Sequence, residues 1–166
     1  MFEDTDDMVN FYEREFYVLS NFSSFKVRMN GIWFDTAEHA YHWSRFNLDS
    51  PRNKILETTS AHDAYTQAQK LKAFQVSNWD KIKIPTMLNI LRLKALQHEY
   101  VLRKLLETGD RKLIECSWRD DFWGWGPNQD GQNQLGKLWM QVREELKNPV
   151  LMEYIKVTNS VWLKSN

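Results

Sequence analysis

The sequence predicts a mainly helical α+β domain with a small antiparallel hairpin near its N-terminus. Three observations predict it. Short aromatic and β-branched segments gather before residue 35, the dipeptide Asn30-Gly31 separates two of them, and apolar residues recur at helical spacing through most of the remaining chain. Val9 to Tyr12 and Glu15 to Val18 read as edge-like strands. Lys26 to Met29 and Ile32 to Phe34 flank Asn30-Gly31, whose ready access to positive φ favours a tight hairpin turn.

After Asp35 the period changes. Thr36 is placed to cap a helix, and Glu38 lies in its first turn, where the helix dipole favours an anion. Pro51 can open a second helix at its first position, and Ser60 can cap a third from Ala61 to about Phe74. Met87, Leu88, Leu91, Ala95, Leu102 and Leu105 or Leu106 form an apolar stripe, predicting one long helix from near Pro85 to Gly109. Lys112 to Cys116 fits a strand or a short helix. Gly124, Gly126, Pro127 and Gly131 make Asp120 to Gln132 irregular, and Leu135, Leu138, Trp139, Val142 and Leu146 restore a helix that stops near Asn148-Pro149. With no repeat or linker, a single domain over residues 1–166 is expected, with its core at about 9–148 and an extension over 150–166 that adds a short helix.

Lys plus Arg and Asp plus Glu both number 22, so no net charge drives binding to nucleic acid or an anionic membrane. No apolar stretch approaches the roughly 20 residues of a membrane helix. The single Cys116 excludes an internal disulfide and a multi-cysteine metal site, which fits a reducing compartment. Met1 to Asp7 is acidic where an export signal would be basic, so the cytoplasm is the expected location. Eight Trp, nine Phe and six Tyr exceed the needs of an aliphatic core and direct attention to a pocket for a planar ligand.

Glu38 and His42 stand four apart, on one helix face. A carboxylate there can hold a water or stabilise positive charge at an anomeric carbon, although first-turn acids are commonly dipole partners alone. His39 and His42 without further ligands match metal-site rules poorly. Trp79, between Asn78 and Asp80, is expected to be half-exposed and able to stack on a base, or else to lid the core. Asp120-Asp121-Phe122-Trp123-Gly124-Trp125-Gly126 sets two acids beside two indoles and glycines that admit close approach, which favours a functional loop. Gly131 to Gly136 opens a helix whose free N–H groups can meet phosphate or ribose oxygens. Neither a dinucleotide fingerprint nor a P-loop is present.

In order and spacing, several segments together resemble the NADAR superfamily and, within it, the YbiA-like N-glycosidases. They are Leu19-Ser20-Asn21-Phe22, Asn30-Gly31-Ile32-Trp33, Ala37-Glu38-His39-Ala40-Tyr41, Asn78-Trp79-Asp80, the Asp120 to Gly126 loop, Asn133 to Met140, and Arg143. The resemblance implies a pocket that hydrolyses the C1′–N bond of a ribosylated base without metal or dissociable cofactor. By position it implies Glu38 as the catalytic carboxylate, Asp120 as a second polar group in catalysis, and Trp79 as a stacking wall. Asn21, Phe22, Arg45, Trp123, Gly124, Asn133 and Gly136 are implied as substrate-binding residues.

The family often has Gln in place of His42 and Lys in place of Arg45, and smaller or aliphatic residues in place of Trp125 and Trp139. The implied partner is a small molecule, such as a ribosylaminopyrimidine of the riboflavin pathway. The alternative is an ADP-ribosyl group on a modified base, including guanine in DNA, which requires cations such as Arg45, Arg52, Lys54 or Lys70 for a pyrophosphate. From another class, a non-catalytic ADP-ribose or nucleotide sensor, or an interaction protein using its aromatic surface, stays open.

Overall fold

The structure, a computed structural model, describes residues 2–164. Strand β1 spans Met8–Asn10 and β4 spans Lys112–Ile114; the two pair in parallel, with Val9 opposite Leu113. Glu15 to Val18, expected as a strand, belongs instead to a 3-10 helix over Arg14–Leu19. Phe16 and Leu19 are buried while Tyr17 is exposed. Residues three apart share one side of such a turn, so this apolar repeat is buried by a 3-10 helix and not by a strand of period two.

The hairpin forms as the sequence predicts. Strands β2 (Val27–Met29) and β3 (Ile32–Phe34) pair antiparallel through Asn30 at φ 53° and Gly31 at φ 76°, the two positive values that this turn demands. Val27 and Phe34, opposite one another, face the core, while Arg28 and Trp33 form the outward pair, with the guanidinium 6.0 Å from the indole centroid. The expected antiparallel sheet is this hairpin, and the β1–β4 pair adds a parallel one.

Helix α1 spans Ala37–Ser44, and the Thr36 hydroxyl caps it by accepting from the His39 N–H. Every residue from Ala37 to Trp43 is buried, because α2 (Asp49–Leu56), α3 (Ala61–Lys70) and α4 (Trp79–Gln97) surround the helix. Pro51 is the third residue of α2 and not the first, still within the turn whose N–H groups have no intrahelical acceptor. Ser60 caps α3 through Asp63 N, and a 3-10 turn over Lys72–Phe74 comes next.

The stripe expected to form one helix forms two. Helix α4 starts at Trp79, with Pro85 inside it, and α5 spans Glu99–Glu107. Trp79 is buried and anchors the turn before Pro85, so the loss of one N–H at that proline does not end the helix. The break falls at His98, whose extended backbone accompanies a ring contact with the Lys26 carbonyl. One residue earlier, the Gln97 side chain donates to Arg28 O and accepts from Arg28 N, both at 2.8 Å, fixing α4 to the hairpin. Helix α6 (Gln134–Lys147) packs on α4 and β4, and α7 (Pro149–Lys164) extends the expected short C-terminal helix to 16 residues. A continuous buried core joins all of these helices. Trp139 lies at its centre and donates its indole N–H to Leu19 O at 2.8 Å.

Candidate active site

Helix α1 presents Glu38, His42 and Arg45 along one face as a hydrogen-bonded chain. Arg45 Nη1 lies 3.1 Å from His42 Nδ1, and His42 Nε2 lies 2.6 Å from Glu38 Oε1. A guanidinium can only donate, so Nδ1 accepts and the ring proton sits on Nε2, where it is donated to Glu38. Arg45 is fixed in turn by Gln75 Oε1, which accepts from Nε at 3.0 Å and Nη2 at 2.7 Å. Glu38 is 8% exposed, and its backbone N–H donates to Asn21 O at 3.1 Å. His39 points elsewhere: Nδ1 meets the Thr36 hydroxyl at 2.8 Å and Nε2 meets Thr58 O at 3.3 Å. Among the described residues no group of three or more His, Cys, Asp or Glu side chains is placed to hold a metal.

An aromatic cluster closes over this chain. Tyr41 lies 5.1 Å from Trp79, 5.1 Å from His42 and 5.5 Å from Trp123, centroid to centroid, and Tyr65 meets His42 edge-on at 5.8 Å. Burial, and then the Glu38 charge, push the Tyr41 phenol well above its ordinary pKa, so it stays a neutral hydroxyl. Trp79, expected to be half-exposed, is only 4% exposed. As the first residue of α4, it is turned inward by the apolar faces of α1 and α4 rather than left at the surface. Trp123 is the partly buried ring of the set.

Two buried ionisable groups that no sequence motif singles out lie within electrostatic reach of one another. Glu115, at the exit of β4, is buried, and burial first, then the charges of Glu38 and Asp120, push it up to about 8. Its Oε2 has no hydrogen-bond partner among the described residues. Lys94, on α4, is fully buried and donates to Ser20 O and Ser23 Oγ, both at 2.8 Å; burial lowers it to about 7, against the pull of Glu115. The available signal was an acid directly after the apolar pair Leu113-Ile114, and a lysine inside the apolar stripe of α4. Asn21 is also buried: its Nδ2 contacts Met87 Sδ at 3.4 Å, while its Oδ1 lacks a partner among the described residues. Its neighbour Phe22 is exposed.

The glycine-rich loop positions these groups more than it lines a pocket. Asp120 Oδ1 accepts from Phe122 N at 2.9 Å and Trp123 N at 2.8 Å, turning the chain so that Trp123 reaches Tyr41. Gly124 lies so close to β4 that a Cβ would stand 2.8 Å from Glu115 O. Asn133, expected to line the pocket, has its amide committed to β4: Nδ2 donates to Leu113 O at 2.9 Å and Oδ1 accepts from Glu115 N at 3.0 Å. It does so from a left-handed backbone at φ 49°. Gly136, expected at the ligand, is where α6 meets β4; a Cβ there would stand 2.2 Å from Leu113 O. The structure thus gathers Glu38, Arg45, Trp79, Trp123 and Asn21 directly, brings Asp120 in through its turn, and uses Gly124, Asn133 and Gly136 to seat the strand that carries Glu115.

The NADAR domain profile matches residues 5–147. The chain belongs to the NADAR domain family. This NADAR chain is 31% identical over 143 residues to the protein of Escherichia coli named N-glycosidase YbiA, covering 85% of the chain and 89% of that protein. It is 33% identical over 132 residues to an N-glycosidase of Nostoc punctiforme, covering 78% and 85%. A riboflavin biosynthesis protein of Vibrio vulnificus is 32% identical over 145 residues, which are 87% of the NADAR chain but only 40% of the larger Vibrio protein. The solution structure of E. coli YbiA superposes with a TM-score of 0.79 at 30% identity, over 87% of the NADAR chain and 88% of YbiA. The matched profile takes in Glu38, Lys94 and Glu115 but ends before α7.

Proposed function

We propose that this NADAR chain is an N-glycosidase that hydrolyses the C1′–N bond of a small ribosylated aminopyrimidine, such as an early intermediate of riboflavin synthesis. It acts as one domain, in the cytoplasm, where a lone Cys116 stays reduced. The observation that carries the reading is the Arg45–His42–Glu38 chain, which holds one oxygen of a buried carboxylate and leaves the other free to meet a sugar. Cleaving the C1′–N bond builds oxocarbenium character, and a fixed carboxylate in a water-poor site stabilises that charge without reorganising. Either Glu38 or a water that it orients then attacks C1′.

The departing base takes up a proton. Glu115, held protonated to about pH 8 by burial and by the charge of Glu38, is the donor in this reading. The pattern is that of two carboxyl groups whose surroundings force them into different roles. Asn21 Oδ1 accepts from an amino group or sugar hydroxyl of the substrate, and the exposed Phe22 and the partly buried Trp123 supply aromatic surface for the base. An ADP-ribosyl substrate would need cations free for its pyrophosphate. Arg45 is instead taken by Gln75 and His42, and Arg52 donates to Phe46 O with its guanidinium 3.8 Å over Trp43, which leaves only the exposed Lys54 and Lys70 of the four candidate cations.

Incubating the protein with a ribosylaminopyrimidine and, separately, with an ADP-ribosylated guanine oligonucleotide, while following base release, tests this. Release from the first and its loss in Glu38→Gln are expected. Binding without release would make the chain a sensor, and release from the oligonucleotide alone would transfer the assignment to ADP-ribose.

A further inference from the structure

A cleft of about 330 Å³ opens on the Trp125 side of the glycine-rich loop, and Glu38, Tyr41, Trp79 and Trp123 take no part in it. The loop separates two aromatic environments. Trp123 meets Tyr41, whereas Trp125, two residues on, meets Phe2 edge-on at 5.0 Å. Phe2, Tyr12, Trp118 and Trp125 supply the walls, and Glu13 supplies a carboxylate; no Lys, Arg or His among the described residues lines the cleft. The adjacent Arg14 turns to Glu3, at 3.6 Å.

Trp118 is 58% exposed, far more than a core indole. The Arg119 guanidinium stands 4.4 Å from the Trp118 centroid, so the ring accepts a cation, and a ligand cation would have to displace Arg119 or take the ring's other face. At the floor, Cys116 is a neutral thiol: burial first, then nearby acids including Asp4 and Glu13, push it up to about 12, so Glu13 is the anionic group that lines the cleft. A neutral ligand filling this space would strip water from Glu13 and return nothing to it, whereas a cation would pair with the carboxylate and lie against π faces.

We infer that this cleft is a second ligand site, built to take a small organic cation of the alkylammonium class between Trp118, Trp125 and Tyr12, with Glu13 as its counter-ion. The site is separate from the glycosidase chemistry and does not depend on it.

The test compares choline with 3,3-dimethylbutan-1-ol, which has the same shape without the charge, by monitoring the indole N–H signals in heteronuclear NMR. Choline should shift Trp118 and Trp125 saturably, and the alcohol should bind at least about fivefold more weakly. Trp118→Ala and Glu13→Gln, both at exposed positions, should each weaken choline binding while leaving base release unchanged. Equal binding of the two probes, non-saturating shifts, or choline binding that survives both substitutions would overturn the inference.

Discussion

Glu115 lies within electrostatic reach of Glu38, and burial together with that charge keeps it protonated to about pH 8. The fold therefore favours the neutral acid. A carboxyl whose pKa is raised from 4.5 contributes most below 4.5, and its contribution is lost as pH rises through about 8. Urea unfolding of wild type and Glu115→Gln between pH 4.5 and 7, below the titration of Lys94, should show the variant gaining relative stability. The gain should approach about 1.4 kcal/mol per pH unit. A flat difference would mean that Glu115 is not protonated in the folded state.

Glu38→Gln keeps the shape of the side chain and removes its charge. Base release should fall by about 10²- to 10³-fold with an unchanged circular dichroism spectrum. Turnover within a factor of two of wild type would remove Glu38 from the mechanism.

His42 both accepts from Arg45 and donates to Glu38, so a replacement must do both. The amide of Gln can, and a methyl cannot. His42→Gln should retain most of kcat, whereas His42→Ala should lower kcat by about tenfold with little change in KM, because the lost interaction orients Glu38 and does not bind substrate. Equal behaviour of the two variants would show that the histidine only fills space.

Trp79 is a core residue, and truncating it acts on stability first. Trp79→Ala should cost about 3–5 kcal/mol in denaturant unfolding. Trp79→Phe keeps the Tyr41 contact and should fold, which makes it the variant in which to read substrate affinity.

Gly136→Ala would place a methyl against a backbone carbonyl, 2.2 Å from Leu113 O, where no side-chain rotation can relieve it. A loss of more than about 3 kcal/mol, read by thermal unfolding, is expected because α6 must shift off β4. Gly109→Ala meets no neighbouring atom but is strained by φ 61°, so its cost should be smaller, about 1 kcal/mol.

Much of this was legible because it is local. Asn30-Gly31, Thr36, Ser60 and the period of α6 act through their nearest neighbours, and each element formed where those residues place it. What escaped the sequence is decided at a distance. Whether Trp79 faces water depends on Tyr41, 38 positions earlier, and nothing beside Trp79 records that. Asn133 looks like a ligand residue until β4 supplies Leu113 and Glu115 as its partners. Glu115 and Lys94 do not stand out in sequence because an acid and a base acquire their character from the shell that excludes water. At Arg14–Leu19 the two periods compete over so few residues that only Phe16 and Leu19 finding the core settles the outcome.

The parallel pairing of Met8–Asn10 with Lys112–Ile114 joins stretches roughly a hundred residues apart. During synthesis the first strand must wait, unmatched, until the strand that leads into the glycine-rich loop has left the ribosome. Since β4 leads directly into Glu115, the group proposed as proton donor reaches its buried position only once β1 has found this late partner, and a half-made copy should be unable to cut its substrate.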